Sequence, residues 1–120
     1  MKELTIGSRR YRVVAVEKKG VWSARAEGVD TGDPFGLEHS GASEAEAIER
    51  VAQWLEWQSE HAAALEALQQ AERAYHRAIA GSAFANPTEG PAAIEIQRES
   101  LQQVEAARLR LDNVRERRPR

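Results

Sequence analysis

Apolar residues follow two different periods along the chain. Up to residue 42 they alternate with polar ones. Leu4 and Ile6 stand between polar neighbours, Tyr11, Val13 and Ala15 take one side of a run from Arg9 to Glu17, and Trp22, Ala24 and Ala26 take one side of a run from Val21 to Glu27. Alternation of this kind predicts β-strands. Gly7-Ser8 and Lys18-Lys19-Gly20 are turn sequences between them, and Gly32-Asp33-Pro34 leads to a fourth short strand around Phe35 to His39. Four closely spaced strands with short turns predict an antiparallel meander.

From Ser43 the period becomes helical. Ser43 and Glu46 form a capping box, in which the hydroxyl and the carboxylate each accept an otherwise unpaired amide at the helix start. No Gly or Pro interrupts Glu44 to Ala80, and Gly81 supplies a stop signal. At 1.5 Å per residue this is roughly 55 Å of helix. Ile48, Val51, Ala52, Leu55 and Ala62 lie on one face. Trp54, Trp57, His61, Ala64, Leu68, Ala71, Tyr75 and Ala78 step by three and four along another. The first turns are therefore expected to cover the sheet, and the later ones a second helix.

That helix follows a loop at residues 81–90. Gly90-Pro91 places proline at a tolerated first position, and the helix is expected to run to about Arg117, before Pro119. A short connection makes the two helices antiparallel neighbours. Pairing Ala64 with Ala107, Leu68 with Val104 and Ala71 with Ser100 keeps the sum of residue numbers nearly constant, as an antiparallel register requires. The expected fold is α+β: a meander of about four strands packed on the start of a long helix, which forms an antiparallel α-hairpin with a second helix. Residues 1–57 and 58–120 are its two parts, sharing the long helix.

Within the first part, the strand YRVVAVE, a Lys/Gly turn, the strand VWSARAEG and the helix start SGASEAEAIERVAQWL are the residues that carry a resemblance. Residues 11–57 resemble the N-terminal domain of HicB-type antitoxins. The resemblance implies a partial RNase H-like fold and a small protein-binding module that pairs with itself or with a toxin. Such chains usually continue into a ribbon-helix-helix or helix-turn-helix DNA-binding domain, whereas residues 58–120 predict a helical hairpin.

Composition narrows the chemistry. The chain has no Cys, which removes disulfides and thiolate sites and fits a reducing compartment. No apolar run is long enough to span a bilayer, and the opening residues carry no apolar signal-peptide core, so a cytoplasmic protein without a membrane role is expected. His39, His61 and His76 are not arranged in a metal-ligand spacing, and neither a nucleophile motif nor a phosphate-binding Gly loop occurs. The expectation is a protein without catalytic residues, cofactor or metal.

Interaction surfaces are the remaining candidates. Val14 and Val16 alternate with the core-facing residues of the second strand, so they belong to the uncovered face of the sheet and favour a homodimer or a small protein partner. Trp54 and Trp57 mark either a junction core or an aromatic contact, and Phe84 either folds back on Tyr75 and Ile79 or docks elsewhere. Residues 43–80 hold seven acids against three bases, while residues 108–120 hold six Arg against two acids. Arg110 and Arg115 are expected beside Glu56 and Glu60, leaving Arg117, Arg118 and Arg120 as candidates for nucleic-acid phosphates. The reading is a small non-catalytic interaction or assembly module. Its alternative is an antitoxin-like or regulatory protein that binds a toxin or nucleic acid.

Overall fold

A computed structural model describes residues 2–32, 34–83 and 90–119. The elements are β1 (Lys2–Ile6), β2 (Arg9–Lys18), β3 (Val21–Gly28), β4 (Pro34–Gly41), α1 (Glu44–Ala83) and α2 (Gly90–Glu116). The strands form one antiparallel sheet in the order β1-β2-β3-β4. This is the expected α+β architecture, with a four-stranded meander followed by two helices.

Turn chemistry sets the sheet register. Gly7 and Gly20 have φ of +63° and +80°, a region closed to most side chains, and Lys19 joins them at +53°. The paired rows that result put Val13 opposite Ala26 and Ala15 opposite Ala24, on the same face as Tyr11 and Trp22. Strand β4 begins one residue and ends two residues outside the expected Phe35 to His39. Proline at its first position suits an edge strand, where an amide is not required.

The chain comprises two compact units. One takes in the sheet, α1 through Ser59, and residues 118 and 119. Its core joins Tyr11, Val13, Ala24 and Ala26 of the sheet to Ala47, Val51 and Leu55 of α1, with Leu4, Ile6, Trp22, Ile48 and Trp54 packed around them. Sheet and helix approach closely at Gly41, where a Cβ would lie 2.7 Å from the Ala47 backbone nitrogen. The helix start is capped as its sequence requires. The Glu46 amide donates to Ser43 Oγ at 3.1 Å, while Glu46 Oε2 accepts the amide of Ala42, one residue before the expected cap amide, at 3.2 Å. Arg50 then ties α1 to β4, donating to the Ser40 carbonyl at 2.7 Å and pairing with Glu46 at 2.9 Å.

The second unit, Glu60–Arg117, is an antiparallel helical hairpin. It buries Ala64 and Leu68 of α1 with Val104, Leu111 and Val114 of α2. Three expectations need correction. Gly81 does not stop α1, which continues to Ala83, because nothing crowds that position and a glycine inside an exposed helix costs only about 1 kcal/mol. Ala62 is exposed and Ala47 buried, so the sheet-facing stripe lies one turn nearer the helix start than expected. Trp54 packs on the sheet core and is not part of the hairpin seam.

Candidate interaction surfaces

The face of the sheet turned away from α1 is a mixed surface. Along it run Arg10, Arg12, Val14 and Val16 of β2, opposite Val21, Ser23, Arg25 and Glu27 of β3. Val14 is half-buried, while Val16 and Val21 are 51% and 52% exposed. Because Val16 faces Ser23 and Val21 faces Lys18, the two valines are diagonal neighbours within reach of one contact. Charges border this strip. Arg10 pairs with Asp30 at 3.2 Å, both largely in solvent, and Arg25 pairs with the more covered Glu27 at 3.4 Å. Arg12 Nε is shielded from water and has no hydrogen-bond partner among the described residues.

Neither tryptophan presents a bare ring. Trp54 is half-buried against the sheet core, with its ring centroid 6.0 Å from that of His39. Trp57 is half-buried, with the Arg118 guanidinium carbon 5.7 Å from its ring centroid. Arg117 pairs with Glu60 at 3.5 Å and donates from Nε to the Asn113 carbonyl at 3.4 Å. The partner of Glu60 is therefore Arg117 in place of the expected Arg110 or Arg115, whose side chains are exposed. Phe84 and Arg120 lie outside the described residues.

The hairpin exposes apolar side chains that the reading of a single seam missed: Ile79 on α1, and Ile94, Ile96, Leu101 and Leu109 on α2. On α2, Ile94, Leu101 and Leu109 recur at spacings of seven and eight residues, two helical turns each, on a line displaced from the buried one. Ala67, Gln70, Ala71 and Ala74 of α1 line a shallow concavity of about 320 Å³ with Gln103 and Ala107 of α2. A second open concavity, about 340 Å³, lies at the end of the sheet among Ser8, Arg9, Arg10, Tyr11 and Asp30.

Among the described residues, no three His, Asp or Glu side chains converge as metal ligands, and no helix is long and apolar enough to cross a membrane. The surfaces define an α+β protein whose distinctive groups are valines, isoleucines and leucines in contact with water. No family model, curated protein or solved structure matches this chain.

Proposed function

We propose that the chain is a non-catalytic protein-interaction module that works as a homodimer. The observation that carries this reading is the strip of Val14, Val16 and Val21 on the open sheet face, rimmed by Arg12, Arg25 and Glu27. An apolar centre inside a polar rim is the layout of a protein contact surface. Magnitude limits what the strip achieves alone. Covering the open halves of Val16 and Val21 is worth about 1 kcal/mol each, whereas association costs about 4 to 15 kcal/mol. Further area elsewhere on the chain has to contribute.

A second reading, an antitoxin-like or regulatory protein that binds nucleic acid, draws support from Arg108, Arg110 and Arg115, which are exposed on the last turns of α2. The engagement of Arg117 by Glu60 and of Arg118 by Trp57 speaks against it, since these are two of the three candidates for phosphate contact, the third being Arg120, outside the described residues.

Sedimentation equilibrium of the wild type and of Val16→Glu, with salt-dependent binding to a labelled oligonucleotide as a parallel arm, separates the two. Self-association weakened by the substitution supports the homodimer. Monomeric protein that binds the oligonucleotide with a steep loss on added salt replaces it with the second reading.

A further inference from the structure

Ile94, Arg98, Leu101, Glu105 and Leu109 form one stripe along α2. At 3.6 residues per turn they fall within about 80° of one another, centred about 130° around the helix from the buried Val104, Leu111 and Val114. All five are exposed, Ile94 at 58% and Leu109 at 62%. The stripe therefore faces away from the seam that α2 shares with α1.

Its order is palindromic. Counting outward from the midpoint between Leu101 and Gln102, Arg98 and Glu105 are equally distant and opposite in sign, and Ile94 and Leu109 are equally distant and both apolar. A two-fold axis through that midpoint places α2 antiparallel to the α2 of a second copy. Ile94 then meets the other copy's Leu109, Arg98 meets its Glu105, and the two Leu101 side chains lie together at the axis. Each cross-helix contact apart from the Leu101 pair at the axis occurs twice, as an isologous interface requires. The intrahelical pair of Arg98 with Glu95, 3.5 Å apart and mostly in solvent, holds Arg98 only weakly and leaves it able to turn to a better partner.

We infer that this stripe is a homodimerisation surface whose occupant is the same stripe of a second copy, in antiparallel register about Leu101. The inference rests on the homodimer reading above and names a contact surface on α2 for it. Charge specifies the register. A shift by one turn would remove Arg98 from Glu105 and set Ile94 against a charged residue.

Analytical ultracentrifugation across a concentration series tests it with the wild type, Leu101→Glu, Arg98→Glu, Glu105→Arg and the double variant Arg98→Glu/Glu105→Arg, with helix content followed by circular dichroism. Every substituted position is exposed, so helix content should be retained. The expected result is a dimeric wild type, loss of the dimer in Leu101→Glu, about tenfold weaker association in each charge reversal, and recovery in the double variant, where the attraction is restored with its signs exchanged. A dimer indifferent to these changes overturns the stripe and leaves the homodimer standing. Failure of the double variant to recover overturns the register, and a monomeric wild type overturns both the inference and the reading beneath it.

Discussion

The Arg118 guanidinium carbon lies 5.7 Å from the centroid of the Trp57 ring. Both residues belong to the unit that contains the sheet, so the end of the described chain is held to the helix that covers the strands. An attraction of this kind at a site open to water is worth about 0.5 to 1 kcal/mol. A double-mutant cycle over Arg118→Ala and Trp57→Leu, read by urea denaturation, should return a coupling of that size. A coupling indistinguishable from zero would mean that the two groups are adjacent without interacting.

Gly41 sets the distance between β4 and α1. A methyl group there meets the Ala47 nitrogen at 2.7 Å and backbone carbon atoms of Glu46 and Ala47 at 3.1 Å, none of which is a flexible side-chain end. Gly41→Ala should lower stability by about 1 to 3 kcal/mol through displacement of the helix start. The urea midpoint falls accordingly, and an unchanged midpoint would show that the first turn yields freely.

Ser43 closes the first turn of α1 through its hydroxyl, at 3.1 Å from the Glu46 amide. Ser43→Ala is expected to cost about 1 kcal/mol, and Ser43→Asp, which keeps an acceptor at the helix start, should cost little. Thermal melts of the three proteins compare them directly. Equal losses in both variants would point to a role for Ser43 other than capping.

Lys19 adopts a left-handed backbone conformation, with φ of +53°, that disfavours a side chain branching from an L-residue. Asn accepts this conformation, and Asn-Gly is the favoured pair for such a hairpin turn. Lys19→Asn should raise stability by about 0.5 to 1 kcal/mol, measured as an upward shift in the urea midpoint with an unchanged slope. No gain would indicate that Lys19 has compensating contacts.

The parts of the fold that were legible from the sequence depend on local chemistry. The start of α1 followed from Ser43 and Glu46, and the two hairpin turns from Gly7 and Gly20, because capping and positive φ concern only a few consecutive residues. The end of α1 did not follow from Gly81, since one unfavourable propensity is small beside the support that a long packed helix receives. Trp54 was misplaced because heptad spacing identifies a side of the helix, whereas the sheet core spreads across a wide arc of it. Gly41 was unreadable for a different reason: its constraint is the proximity of Ala47, which no pattern around position 41 encodes. Among the surfaces, Val16 follows from alternation and is exposed, while Ile94, Leu101 and Leu109 do not stand out because the stripe of Val104, Leu111 and Val114 already accounts for α2 as a packed helix.

The sheet order leaves β1 and β4 each with one side unpaired by a neighbouring strand. Lys2 and Glu3 put charge on the first of these margins, and Pro34 removes an amide at the beginning of the other. Both features oppose the addition of a foreign strand. Replacing these outermost rows with long apolar strands should therefore favour amyloid-like stacking while the interior stays as it is.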